Sequence, residues 1–132
     1  ALVGKQDNPL RILFVDDEAA LRQIAEQWLL GLGHAVTLAA NADEALARLA
    51  ETRFDLLITD VVMPGEMDGM SLVERCRRMY PEMPALLTTD FAGGVSAAMQ
   101  GRCEVLGKPY TRTTLRQAIG ETLSQHTPAR GR

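Results

Sequence analysis

The chain predicts an α/β fold of the doubly wound kind: a parallel five-stranded sheet in the order 2-1-3-4-5, sandwiched between helices as a (βα)5 unit. Three observations carry this. Apolar runs of strand length alternate five times with segments of helical period, as they do in βαβ units. Parallel strands joined by such crossovers connect right-handedly, which leaves few strand orders. The most continuous apolar runs, around Ile12-Leu13-Phe14-Val15, Leu56-Leu57-Ile58-Thr59 and Ala85-Leu86-Leu87, belong at the centre of a sheet covered on both faces. With 132 residues there is material for one core and no second domain.

Taken in order, residues 1–9 are polar and loop-like and read as a linker or tail. The first strand covers residues 11 to 15. After it Leu21, Ile24, Ala25, Trp28, Leu29 and Leu32 mark one face of a helix, which Gly31 and Gly33 bring to an end. A second strand, 35 to 39, mixes polar and apolar residues as an edge strand does. Asn41, with Glu44 at the capping-box position, opens a helix that buries Ala42, Ala45, Leu46 and Leu49. The third strand, 55 to 60, is central. Beyond its loop, Leu72, Val73, Cys76, Met79 and Tyr80 form the buried face of a third helix, closed by Pro81 and Pro84. Residues 85 to 89 form the fourth strand. Glycines at 93, 94 and 101 leave a fourth helix, between 91 and 102, short or irregular. A fifth strand, 103 to 107, precedes a last helix capped by Thr111, with Leu115, Ala118, Ile119, Thr122 and Leu123 turned inward. The domain thus spans residues 10–125, and 126–132 form a flexible tail.

Composition narrows the function. Fourteen basic and seventeen acidic side chains give a net charge of -3, so nothing global points to nucleic acid or an anionic membrane. The basic cluster Arg75-Cys76-Arg77-Arg78 reads as a solvated helix face. Cys76 and Cys103 lack the spacing of a zinc site or disulfide framework, and are expected to be reduced, buried thiols in a cytoplasmic protein. His34 and His126 are isolated. No apolar stretch approaches the ~20 residues a membrane span needs.

The chemistry gathers where strands end. The first apolar run stops on Asp16-Asp17 and the third on Asp60, and in the order 2-1-3-4-5 these ends share one crevice. Like charges about 5 Å apart repel by roughly 3 kcal/mol per pair at an effective dielectric of about 20, so the trio calls for a cation. A hard divalent ion such as Mg²⁺, which takes oxygen ligands, suits it. The ends of strands four and five bring Thr89 and Lys108 to the same edge. A metal-binding acid cluster, a hydroxyl and a fixed cation together fit phosphoryl transfer onto a carboxylate.

The stretches Phe14-Val15-Asp16-Asp17-Glu18, Thr59-Asp60-Val61-Val62-Met63-Pro64-Gly65-Glu66-Met67-Asp68-Gly69, Leu86-Leu87-Thr88-Thr89 and Leu106-Gly107-Lys108-Pro109-Tyr110 resemble the receiver domains of bacterial response regulators and hybrid histidine kinases. The resemblance covers residues 10 to 125 and implies a flavodoxin-like fold. By it, Asp60 would be the phosphoacceptor of a two-component phosphorelay, taking a phosphoryl group from a phosphohistidine on a histidine kinase or histidine phosphotransfer domain. Asp17 and Asp60 would ligate Mg²⁺, Asp16 would act mainly through a metal-bound water, and the backbone carbonyl of Val62 would add a ligand. Thr89 and Lys108 would hold the phosphoryl oxygens. Two residues have rival readings: Asp17 as a cap of the first helix, and Thr88 as the hydroxyl in place of Thr89. Pro64 and Gly69 are expected to shape the loop.

Asp90 stands where the family usually has Ala or Gly, and Val105 where many receivers carry an aromatic switch residue. Val62 and Phe91 hold positions that resemble those flanking the phosphoryl group, where apolar side chains cannot orient an attacking water. An output surface of this kind leaves a rival: a degenerate receiver that acts as a phosphorylation-independent interaction module. A flavin- or nucleotide-binding enzyme would need a Gly-, Ser- or Thr-rich loop after the first strand, and Asp16-Asp17-Glu18 opposes it. The expected parent is a hybrid histidine kinase ending in this receiver, or a stand-alone response regulator; only the parent kinase would be an enzyme. The output partner is open, with no direct nucleic-acid or membrane contact expected of this domain.

Overall fold

The computed structural model describes residues 9–63, 65, 67–90 and 103–126. Five strands, β1 (Arg11–Val15), β2 (Ala35–Ala39), β3 (Leu56–Asp60), β4 (Ala85–Thr89) and β5 (Glu104–Gly107), form one parallel sheet in the order β2-β1-β3-β4-β5. Four helices accompany them: α1 (Ala19–Gly31), α2 (Ala42–Glu51), α3 (Gly69–Met79) and α4 (Arg112–His126). This is the doubly wound fold and strand order that the apolar pattern predicts. The helix expected between 91 and 102 lies outside the described residues.

Because successive side chains of a strand point to opposite faces, each central strand feeds two cores. Leu13, Val15, Leu57 and Leu87 pack with Ala45, Leu49, Leu72, Val73 and Cys76 of α2 and α3. Ile12, Phe14, Ile58 and Leu86 pack with Ala25, Leu29, Leu115, Ala118 and Ile119 of α1 and α4. Strands β3 and β4 are buried along their whole length, whereas β2 and β5, at the two edges, are largely half-buried. The polar content of β2 has this cause: one of its sides has no strand to meet.

Helix ends follow local chemistry. The Asn41 side chain accepts the Glu44 N–H at 2.9 Å, and Glu44 in turn accepts the Ala40 N–H at 2.7 Å. Thr111 and Thr114 exchange the same kind of bond at the start of α4, at 2.9 and 3.1 Å. Asp68 accepts the Ser71 N–H at 2.9 Å and so starts α3. α1 ends in a Schellman motif, the N–H of Gly33 donating to Leu30 and that of His34 to Leu29. Gly33 adopts φ +98°, a conformation that L side chains rarely take. His34 is then buried, and its Nδ1 accepts the Leu10 N–H at 3.0 Å, a structural task for a residue that looked isolated.

Two residues assigned to buried helix faces are more exposed than expected. Ile24 and Met79 lie 44% and 42% exposed. Each sits at the flank of its apolar stripe, and the sheet covers only the middle of the stripe: Ala25 and Leu29 in α1, Leu72, Val73 and Cys76 in α3. Both cysteines are buried, and neither is in a disulfide. No helix among the described residues is long and apolar enough to cross a membrane.

Candidate functional site

Register brings the acids together. Val15 pairs with Thr59, so Asp16, the next residue, comes level with Asp60 where the two strands leave the sheet. Counting by twos from Phe14 and Ile58 puts both acids on the face covered by α1 and α4. The ladders continue briefly past the strands: Asp16 N–H donates to Ala39 at 3.1 Å, Val61 N–H to Thr88 at 2.8 Å and Lys108 N–H to Thr89 at 2.8 Å. Asp60 and Lys108 are thereby held by backbone, not by loop packing. The bond that joins Lys108 to Pro109 is cis.

Lys108 is the hub. Its Nζ lies 3.0 Å from Asp16 Oδ2 and 3.1 Å from Asp60 Oδ2, with all three side chains largely buried. One carboxylate oxygen from each of Asp16, Asp17 and Asp60 falls within a set no wider than 4.8 Å. Asp16 is fully buried and uses both oxygens: Oδ1 accepts the Glu18 N–H at 2.9 Å, and Oδ2 accepts Lys108. Asp17 is exposed, and among the described residues its carboxylate has no hydrogen bond or ion pair. The capping role for Asp17 does not materialise. α1 begins after Glu18, whose side chain makes no cap bond, because the chain enters the helix one residue later than Asp17 would require.

Burial pushes the Asp60 carboxyl above its ordinary range, and the nearby Asp16 charge adds to that; the Lys108 ammonium and the Val62 N–H pull the other way without cancelling it. For Lys108 burial works against the charged form, but the bonds and charges of Asp16 and Asp60 outweigh it and raise its pKa. The lysine is therefore a fixed cation at neutral pH, set against three carboxylates.

The remaining predicted residues lie around this centre. Thr89 is buried and ends β4, one residue beyond the Asp60–Thr88 pairing. Thr88 pairs with Asp60 inside the sheet and is almost wholly covered, which leaves Thr89 nearer the carboxyl edge. Val62 is 72% exposed, so an apolar side chain stands open to solvent beside Asp60. Asp90 is exposed and Val105 packs against the α2/α3 core. Phe91 lies outside the described residues.

Two contributors were not assigned to the site from sequence. A Cβ on Gly69 would run into the Asp60 carbonyl oxygen, and it would lie 2.8 Å from the Asp60 carbonyl carbon and 2.9 Å from Val61 Cα. The start of α3 therefore presses on the backbone of Asp60, and only the missing side chain permits it; the sole sequence signal was a glycine at a helix start. Tyr110 is the other. Its ring is buried and meets Trp28 edge-on with centroids 6.3 Å apart; burial, and after it the charges of Asp16, Asp60 and Glu18, hold its hydroxyl above the ordinary phenol range.

Comparison with known proteins agrees with this geometry. The family model of the response regulator receiver domain matches residues 12–120. The DNA-binding transcriptional regulator NtrC of Salmonella typhimurium is 37% identical over 99 residues, 73% of this chain and 21% of NtrC. The response regulator protein FleR of Pseudomonas aeruginosa is 38% identical over 119 residues, 84% of this chain and 25% of FleR. The chain thus spans about a quarter or less of these relatives. Response regulator protein TrrA from Thermotoga maritima, in complex with Mg(2+)-BeF, superimposes with a TM-score of 0.77 at 26% identity, over 85% of this chain and 97% of that one. Sheet order, acid cluster and family match converge: the chain belongs to the response regulator receiver domains of two-component systems.

Proposed function

We propose that Asp60 accepts a phosphoryl group from a phosphohistidine on a histidine kinase or histidine phosphotransfer domain. The observation that carries this reading is the buried Lys108 ammonium bridging Asp16 and Asp60 at 3.0 and 3.1 Å, with the exposed Asp17 at the rim of the same cluster. The Asp60 carboxylate is the nucleophile, its Oδ2 held 3.1 Å from the Lys108 ammonium. It attacks phosphorus, the P–N bond to the donor histidine breaks, and the electron pair returns to the imidazole. Lys108, charged throughout, swings from Asp60 Oδ2 to an oxygen of the incoming group, and the Thr89 hydroxyl donates to another.

The residues present fit Mg²⁺. Their donors are all oxygens, clustered within 4.8 Å, and magnesium takes oxygen ligands at about 2.1 Å in an octahedron. Asp17, without another bond among the described residues, and Asp60 would hold it directly with the Val62 carbonyl, while Asp16, already bonded through both oxygens, would act through water. When bound, the ion neutralises charge on the transferring phosphoryl oxygens. TrrA, bound to Mg(2+)-BeF, supports the assignment.

Mass spectrometry after incubation with acetyl phosphate and Mg²⁺ tests the reading. One added phosphoryl group is expected, and none when Mg²⁺ is chelated; no mass gain under either condition refutes it. The degenerate-receiver reading rests on Asp90, whose carboxylate is exposed and so screened by salt, and on the short fourth helix expected between 91 and 102, which lies outside the described residues. Lifetime is a separate expectation. With the Val62 side chain open beside Asp60 and unable to orient water, the phosphoryl group should persist. Val62→Asn is expected to shorten its half-life several-fold; an unchanged decay would remove Val62 as the cause.

The parent is proposed to be a response regulator rather than a hybrid kinase, because NtrC and FleR are regulators of which a receiver is only a part. Contact with nucleic acid, where the parent makes any, would fall to another part of it. The proposed site of action is the cytoplasm, where a kinase can supply the phosphoryl group.

A further inference from the structure

Arg22 reaches back from α1 to the backbone that links the two acids after β1. Its Nη1 donates to the Asp16 carbonyl oxygen at 2.8 Å, and the side chain is half-buried. The placement calls for a reason. Arg22 stands in the first turn of α1, which has neither an acidic side chain nor a side-chain cap, and a cation there opposes the helix dipole. The bond to Asp16 supplies the reason, for it completes a set. The Asp16 N–H donates to Ala39 at 3.1 Å, Oδ1 accepts the Glu18 N–H, Oδ2 accepts Lys108, and the carbonyl accepts Arg22.

Asp17 has no such support of its own. Its carboxylate is exposed and without a bond among the described residues, yet one of its oxygens lies in the 4.8 Å cluster with Asp16 and Asp60. Backbone must therefore hold it there. The Asp16 carbonyl and the Asp17 N and Cα belong to one planar peptide unit, so the bond that fixes the oxygen also fixes Asp17 Cα. On the far side, the Glu18 N–H bonded to Asp16 Oδ1 ties down the next unit. We infer that Arg22 is a positioning residue for the Mg²⁺ site: through the Asp16–Asp17 peptide it keeps the Asp17 carboxylate in the cluster. The inference rests on the Mg²⁺ part of the proposed function. Charge alone gives the opposite expectation, because a cation beside three carboxylates repels a second cation, and its removal should tighten Mg²⁺ binding. Loss of a group that orients a ligand should weaken it.

Calorimetric titration with Mg²⁺ alone reads that sign. Arg22→Met keeps an apolar stem without the guanidinium, and is expected to bind Mg²⁺ about tenfold more weakly than wild type. In the Asp17→Asn background the same change should alter affinity by no more than about twofold, because the carboxylate it acts through is gone. Equal or tighter binding by Arg22→Met overturns the inference, and so does an equal loss in both backgrounds. A purely structural role would lower the urea midpoint of the metal-free protein and leave the Mg²⁺ affinity of the folded protein unchanged, which also overturns it. Should Arg22→Met not fold, Arg22→Gln, uncharged and of shorter reach, is read by the same rule. A wild type that binds no Mg²⁺ overturns the inference together with the metal part of the proposed function. A wild type that binds Mg²⁺ but takes up no phosphoryl group from acetyl phosphate overturns the phosphoacceptor reading alone.

Discussion

Asp60→Asn is expected to abolish phosphoryl uptake and, at neutral pH, to make the metal-free protein more stable than wild type. The first effect follows from chemistry, since an amide has no carboxylate oxygen to attack phosphorus. The second follows from linkage. The Asp60 carboxyl has a folded-state pKa above its ordinary value of 3.8, with burial the main cause and the Asp16 charge a further one. A group shifted in this direction favours the fold fully below its unfolded pKa, and that advantage is lost as the pH rises through its folded pKa. At pH 7 the ionised carboxylate is therefore a burden, which asparagine lacks. The substitution removes one of the two carboxylate partners of Lys108, but Asp16 remains as the other. A gain of order 1 kcal/mol is expected at pH 7, shrinking to nothing well below the ordinary carboxylate range. Urea denaturation at neutral and acid pH, beside the acetyl phosphate assay, checks both halves. Equal labelling of wild type and variant would rule Asp60 out as acceptor. A variant less stable than wild type at pH 7 would mean that the bond to Lys108 outweighs burial.

Gly69→Ala is expected to damage both fold and site, against the trend for helices. At the start of a helix, alanine normally gains up to about 1 kcal/mol over glycine. Here the added methyl meets the Asp60 carbonyl and Val61 Cα, which are backbone atoms held by the Val61–Thr88 bond and by the Gly69 N–H to Val61 at 2.8 Å. Nothing flexible can move aside, so a loss of about 1–3 kcal/mol is expected, as for other overpacked sites. The strain falls on the residue that carries the chemistry, so phosphoryl uptake should slow as well. Gly31→Ala is the control. A Cβ there meets nothing within 4 Å, and it should be neutral or mildly stabilising. A gain in midpoint for Gly69→Ala would show that α3 can retreat from Asp60.

Much of this architecture is legible in the sequence. Continuous apolar runs on β1, β3 and β4 placed those strands centrally, and Asn41, Glu44 and Thr111 announced their helices through capping chemistry that depends on neighbours only a few residues away. The strand-end positions of Asp16, Asp60 and Lys108 were readable for the same reason: a parallel strand ends where its apolar run ends. The errors have a common origin. Ile24 and Met79 fit a helical stripe by spacing alone, but how wide a stripe the sheet covers depends on how the helix lies against it. For Asp17, read as a metal ligand, the rival reading as a cap is closed only by the path of the chain into α1, which starts beyond it.

By itself the sequence determined the sheet, its order and the set of acids at its edge, because side-chain alternation and local caps are written residue by residue. The tertiary structure decided how that set is wired. Lys108 bonds Asp16 as well as Asp60, and Gly69 supports Asp60 from behind. These relations join residues up to 92 positions apart. Their physical basis is strand register and helix packing, which fix distances to fractions of an ångström, whereas residue spacing along the chain fixes only the face and the edge.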